Sequence, residues 1–382
     1  MTADLISFIR HTFDEPTNFL PLHEPRFVGK ERAYVLDAID STFVSSVGAY
    51  VDKFEGMMCS ITGAKHAVAV VNGTSALHLS LILAGVESGD EVLTQPLTFI
   101  ATANAISYCN ATPHFVDVDQ ETLGLSPSLL DEHLKNVAEM RDGVCYNKIT
   151  NNKISACVPM HTFGLPLYID QVVEVCNKYG IPVIEDAAES LGSYYKGKHT
   201  GTFGHIGTFS FNGNKTVTSG GGGAIVTNDE ALAKKAKHLS TQAKIPHKWE
   251  YKHDMIGYNY RMPNLNAALA CAQLEQLDFY VENKRDLAAK YQLFLKGAKE
   301  ITAIKETPES KSNYWLNAVL LKNREARDNF LEETNQKGVM TRPIWGLMNK
   351  LSMFNDAPKA DLSNALFLED RIVNITSSVR IK

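Results

Sequence analysis

Between about His66 and Asp229, short apolar runs alternate with stretches whose apolar positions fall at helical spacing, the pattern of strands that are each followed by a helix. HAVAVV reads as a strand, Asn72 and Gly73 as a tight turn, and a helix is expected from Thr74 or Ser75. DEVLTQ and HFVDVD are further strands, with helices over TFIATANAISYC and after Ser126. ISACVPMH places His161 at a strand's carboxyl end, and a helix over 169–179 returns the chain to a buried strand at Ile181–Ile184. That strand delivers Glu185 and Asp186. A run at Ile206–Phe211 then delivers Ser210, Asn212 and Lys215 into a turn, and Gly223–Thr227 leads away. The alternation implies a mostly parallel sheet with right-handed crossovers, and open sheets of this kind place ligands beyond the carboxyl ends of their strands.

The flanks read differently. Residues 16–50 begin with a Pro-containing irregular segment and continue into a helix expected over Val28–Ile39; FVSSVGAYVDKFE, at 43–55, then supplies small and flexible residues. Residues 254–280 combine a loop with a long amphipathic helix starting near Pro263. From about Asn283 the pattern becomes α+β: a helix to Gly297, a strand at YWLNAVLL, a helix over Arg324–Lys337, a strand at VMTRPIW and a closing helix near Ala365. The expected division is therefore an N-terminal segment packing over the rest (1–50), a large domain (51–280) and a small C-terminal domain (281–382).

The 382 residues exceed one average domain, and 44% apolar with 21% charged residues is an ordinary globular balance. A net charge of −5 without a basic cluster argues against a nucleic-acid surface. The six cysteines show no CxxC spacing and lie mostly in apolar stretches, so they read as reduced and structural, and no metal is expected. MTADLISFIRHTF lacks a signal peptide's basic start and cleavage signature, and no apolar run is long enough to span a membrane. The expectation is a cytoplasmic protein with no membrane partner.

Free amides at the helix start after Gly73 make a phosphate seat, although every strand-to-helix turn favours a Gly and a capping Ser or Thr. Glycines 220–223 lead into a strand rather than a helix, which excludes a dinucleotide fingerprint. Taken singly, Asp186 and Lys215 also admit ordinary structural readings.

Their order changes the weighing. A strand ending in Asp186, then Ser210-Phe211-Asn212, then Lys215, then a glycine run resembles the core of the DegT/DnrJ/EryC1/StrS sugar aminotransferases, which use pyridoxal 5'-phosphate. The resemblance implies an α/β protein of fold type I, with helices on both faces of the large domain's sheet and a small C-terminal α+β domain. It implies that Lys215 holds the cofactor covalently and then moves the substrate proton, while Asp186 pairs with the ring nitrogen. Gly73, Thr74 and Ser75 would hold the phosphate, Phe99 would stack on the ring, Ser210 would join the cofactor contacts, and His161 would lie at the pocket. Asn259 and Arg261 would reach across a homodimer, to the cofactor phosphate and a donor carboxylate, and Arg342 with Trp345 would border the substrate mouth. Two positions depart from the family: the glycine run lacks its common Glu, and Glu189 stands where His or Gln is usual near the cofactor's phenolic oxygen. A carboxylate there disfavours a nearby anion unless it is protonated or turned away.

FVSSVGAYVDKFE and MTRPIW are most similar to LegC-like members. That implies a UDP-linked 4-keto-6-deoxy-N-acetylhexosamine as acceptor, glutamate as donor and a product for legionaminic-acid-type surface sugars. Two alternatives stand beside it. The related sugar 3-dehydratases carry His in place of the lysine, and a cofactor-binding sensor would bind without turnover.

Overall fold

The computed structural model describes residues 1–381. Strands β1 (His66–Val70), β2 (Glu91–Thr94), β3 (Thr112–Phe115), β4 (Ile154–Val158), β5 (Ile184–Asp186), β6 (Ile206–Ser210) and β7 (Gly223–Thr227) build the main sheet. Four run in the order β1-β7-β6-β5 and three in the order β3-β2-β4. Parallel bridges from Cys157 to Val183 and from Met160 to Asp186 join the two parts. Only β7 runs against its neighbours, because the chain turns directly from β6 through the glycine run instead of crossing over by a helix.

Helices α1 (Thr2–Thr12), α2 (Glu31–Asp40), α3 (Ala49–Thr62), α4 (Gly73–Leu83), α5 (Ile100–Tyr108), α6 (Pro127–Val137), α7 (Ile169–Lys178) and α8 (Glu230–Ser240) precede the C-terminal third. The period-2 alternation of the strands sends neighbouring residues to opposite layers. Val92, Ala156 and Ile184 pack on Leu77, Leu81 and Ile106 of α4 and α5. Leu93, Cys157 and Val183 pack on Leu130, Leu134 and Val172 of α6 and α7. Both faces of the sheet are thus covered, which is why its strands read as continuous apolar runs.

The helix expected from Pro263 to about residue 280 and the helix expected from about Asn283 to Gly297 are present with their boundary moved: α9 (Asn264–Leu274) and α10 (Leu277–Phe294) part at 275–276. At the break, the Glu275 carboxylate accepts from Tyr34 and Lys53, at 2.7 and 3.0 Å. Beyond it, β8 (Ile301–Ala303), β9 (Asn317–Leu321), β10 (Arg342–Pro343) and β11 (Ile372–Ile375) form an antiparallel sheet in the order β8-β9-β11-β10. Helices α11 (Arg324–Gln336) and α12 (Ser363–Glu369) complete this region. Leu5 and Ile9 of α1 belong to the same core as Leu287, Val319, Phe330 and Val373, so the amino terminus is built into the C-terminal part. All six cysteines are free thiols. Among the described residues, no helix is long and apolar enough to cross a membrane.

Candidate active site

Glu185 and Asp186 are consecutive at the end of β5, so their side chains leave the sheet on opposite sides. Asp186 is 3% exposed; its Oδ2 accepts from Thr102 Oγ1 at 2.7 Å and its Oδ1 from the Ala188 amide at 3.2 Å. Burial pushes this carboxyl above its usual range, against the pull of the Thr102 and Ala188 donors and of the nearby Lys215 charge. Glu185 turns the other way and accepts from the amides of Gly201, Phe203 and Gly204, at 2.7, 2.6 and 2.6 Å.

His161 belongs to that second group. Its Nε2 lies 3.0 Å from Glu185 Oε2, and its Nδ1 accepts from the Leu167 amide at 3.3 Å. The expected pocket position is corrected: the ring is fully buried, both nitrogens are taken, and it does not line the cavity.

Lys215 follows β6 in a turn closed by its own amide donating to Asn212 O at 3.0 Å. Its Nζ is 3.2 Å from Glu189 Oε1 and lies 4.0 Å from the centre of the Trp315 ring. Trp315 is fixed by Nε1 donating to Asn214 O at 2.6 Å and by its amide donating to Asn313 Oδ1 at 2.8 Å. Glu189 is 3% exposed, and its Oε2 accepts from the Phe163 amide at 2.9 Å. Phe163 adopts φ 58°, a left-handed conformation costly for a bulky residue, and it aims that amide at the carboxylate. Burial pushes Glu189 up to about 7, opposed by the Lys215 charge.

These groups meet in a cavity of about 360 Å³ at the carboxyl ends of β5 and β6, walled by Phe99, Trp315 and Trp345. Asp186, Glu189, Ser210, Lys215, Gly73 and Thr74 all line it. Helix α4 starts one residue earlier than expected, at Gly73, because Asn72 Oδ1 caps it by accepting from the Ser75 amide at 2.7 Å. That spends the Ser75 amide, and Ser75 does not line the cavity. Phe99 is half exposed and meets Trp345 edge-on at 6.3 Å.

Three expected residues lie away from this chain's cavity. Asn259 pairs with Thr241, and Arg261 with Val70. Among the described residues the Arg261 guanidinium has no ion-pair partner, and its buried Nε has no acceptor. Arg342 is exposed on β10, outside the cavity that its neighbour Trp345 lines. Sequence reasoning missed Thr102, Asn313 and Trp315, since hydroxyl, amide and indole groups carry no spacing signature. It also passed over His23, whose ring nitrogens are buried without partners and whose pKa is held well below normal by burial and by the Lys284 and Lys215 charges.

The donor set fits pyridoxal phosphate. Asp186, a buried carboxylate raised in pKa and without an ion-pair partner among the described residues, would be stabilised by a cationic ring nitrogen. The amino end of α4 opens on the cavity through Gly73 and Thr74 to receive a phosphate, and Lys215 supplies an amine. Among the described residues no cluster of metal-ligating side chains is present.

The DegT/DnrJ/EryC1/StrS aminotransferase family matches residues 26–382. The chain is 40% identical over 338 residues to the GDP-perosamine synthase of Escherichia coli O157:H7, covering 88% of each. It is 36% identical over 337 residues to the GDP-perosamine synthase of Vibrio cholerae, covering 88% of this chain and 87% of that protein. Among solved structures it is similar to the aminotransferase TlmJ from Streptoalloteichus hindustanus, with a TM-score of 0.86 and 24% identity over 96% of this chain and 95% of that one.

Proposed function

This chain belongs to the DegT/DnrJ/EryC1/StrS aminotransferase family and is a pyridoxal-phosphate-dependent aminotransferase, and from that premise we propose that it transfers an amino group from glutamate to a UDP-linked 4-keto-6-deoxy-N-acetylhexosamine. The observation that supports the site is the convergence of the Lys215 amine, the Asp186 carboxylate and the start of α4 on one cavity. FVSSVGAYVDKFE and MTRPIW favour this acceptor and a place in legionaminic-acid-type sugar formation. A GDP-linked sugar is the second reading, favoured by the 40% identity to a GDP-perosamine synthase.

When bound, the cofactor supplies a carbonyl that couples to the amino group and a ring that takes up electrons from the substrate carbon. Gly73 and Thr74 seat its phosphate with helix-start amides. Asp186, oriented by Thr102, would hold a proton on the ring nitrogen, and Phe99 would serve the ring as an aromatic wall. Lys215 Nζ would hold the cofactor and, when free of it, would carry the proton that leaves the substrate carbon. Ser210 completes the phosphate side. His161 acts from behind by fixing Glu185. In a homodimer Asn259 reaches the partner's cofactor phosphate and Arg261 offers its unpaired cation to the donor carboxylate, while Arg342 and Trp345 frame the sugar mouth.

Lysine at position 215 argues against the dehydratase reading, and turnover would exclude a sensor. Borohydride treatment of the yellow protein followed by peptide mapping should find the reduced cofactor on Lys215. Finding it on Lys196 or Lys198 would overturn the assignment. Glutamate should bleach the chromophore. Product mass after adding UDP- or GDP-linked 4-keto sugars then decides the acceptor.

A further inference from the structure

We propose that Glu189 is the proton store of the site: it serves as counter-ion to Lys215 while that amine is free, and takes up the proton that the ammonium gives up when the cofactor engages the lysine nitrogen. It then stands as a carboxylic acid donating a hydrogen bond into the cavity. This rests on the pyridoxal-phosphate reading above.

The geometry carries it. Among the described residues the only ion-pair partner of this nearly fully buried carboxylate is Lys215, the amine that the cofactor occupies. The carboxylate cannot turn away to water. Its Oε2 is held by the Phe163 amide, delivered by a strained left-handed residue, and its own backbone carbonyl is held by Asn313 Nδ2 at 2.9 Å.

The charged groups facing it from the packed elements are Lys215, after β6, and Asp186, at the end of β5, whose negative charge opposes ionisation. The segments carrying Phe163 and Trp315 present an amide and an indole, both neutral. Loading the site consumes the one compensating ammonium and brings in a phenolic oxygen and a phosphate. A buried carboxylate left beside an anion takes a proton. The balance is internal: the Lys215 ammonium loses one proton as its nitrogen bonds to the cofactor, the carbonyl oxygen leaves as water, and the neighbouring Glu189 carboxylate takes that proton to become a carboxyl group. In the free protein Glu189 already sits at about 7 with Lys215 charged beside it, so loss of that charge moves it further upward.

Calorimetric titration of pyridoxal phosphate into cofactor-free protein, in buffers of differing ionisation enthalpy, reads net proton exchange directly. At pH 8 the native protein should release about one proton fewer than Glu189→Gln, and at pH 6, where Glu189 of the free protein is already mostly protonated, the difference should shrink. Equal exchange by both proteins at pH 8, with normal cofactor binding, refutes the proposal. If Glu189→Gln does not fold, Lys215→Ala serves: it has no ammonium proton to hand over, so its net proton exchange should not change from pH 6 to pH 8, while the native protein should release nearly one proton at pH 6 and little at pH 8. Matching pH profiles for these two proteins refute the proposal equally. A native protein that binds no pyridoxal phosphate overturns the cofactor reading, and this inference with it.

Discussion

Replacing Glu189 by Gln should change how the stability of the cofactor-free protein depends on pH. Burial carries the Glu189 carboxyl from an ordinary 4.5 to about 7 in the folded state. At about 1.4 kcal/mol per tenfold change in proton affinity, ionising it in the folded chain costs about 3 kcal/mol relative to the unfolded chain. Because the folded value is the higher one, this carboxyl leaves stability untouched below 4.5. The penalty then grows as pH rises from 4.5 to 7 and is complete above that. Gln does not titrate. Its amide oxygen can still accept from Phe163, but its NH₂ then faces Lys215 Nζ, an offset that enters the absolute difference between the two proteins and not the part that follows the titration of Glu189. The prediction therefore concerns the slope: from pH 4.5 to pH 8 the variant should gain about 3 kcal/mol on the native protein. Urea unfolding at both pH values, at one protein concentration and followed by tryptophan fluorescence, measures it. Parallel pH profiles, agreeing to within about 0.5 kcal/mol, would refute the claim that Glu189 is buried against its charge.

Asp186→Asn should keep the cofactor but lose roughly a hundredfold or more in turnover, since an amide cannot favour a protonated ring nitrogen; near-normal turnover would mean another group pairs with that nitrogen. Asn72→Ala removes the cap on the Ser75 amide, and should cost about 1 kcal/mol in unfolding free energy together with weakened cofactor affinity; unchanged affinity would detach the start of α4 from the phosphate. Lys215→Ala and Asn259→Asp should each be inactive alone, yet a co-refolded equal mixture should recover roughly a quarter of native activity through mixed dimers. Verified mixed dimers without recovery would show that Asn259 does not act across an interface.

The sheet was legible because both of its faces are buried, so each strand reads as an apolar run; the strand-end positions of Asp186 and Lys215 were legible for the same reason, but only their order with Ser210 and the glycine run marked them as candidates. His161 misled for a reason that the backbone supplies. Lying at a strand's carboxyl end does not decide which face a side chain takes, and His161 falls on the side of Glu185, where Gly201, Phe203 and Gly204 also point their amides. Ser75 misled because a cap acts locally: Asn72, one residue before the helix, consumed the amide that the pattern offered to a phosphate. The break between α9 and α10 was expected between 280 and 283 and falls at 275–276, because Glu275 is an ordinary helix former whose contacts, Tyr34 and Lys53, lie more than two hundred residues away.

The glycine run shows most directly how a sequence feature becomes a site. Because β7 lies antiparallel between β1 and β6, its first residue, Gly223, stands level with Val70 and with Ser210. The chain leaving β1 at Asn72 and the chain leaving β6 toward Lys215 are thereby brought to one height. They approach so closely that a Cβ on Gly223 would lie 2.4 Å from Asn72 O, and one on Gly73 would lie 2.8 Å from Ser210 Cβ. Both contacts are shorter than a side chain tolerates, and Gly223 has only backbone in its way, which cannot move aside cheaply. Glycine at 73 and 223 therefore serves close approach, and neither position requires a left-handed backbone. The consequence reaches the chemistry: a side chain at either position would push the start of α4 away from the Lys215 turn, parting the seat for a phosphate from the amine that the same cofactor must meet.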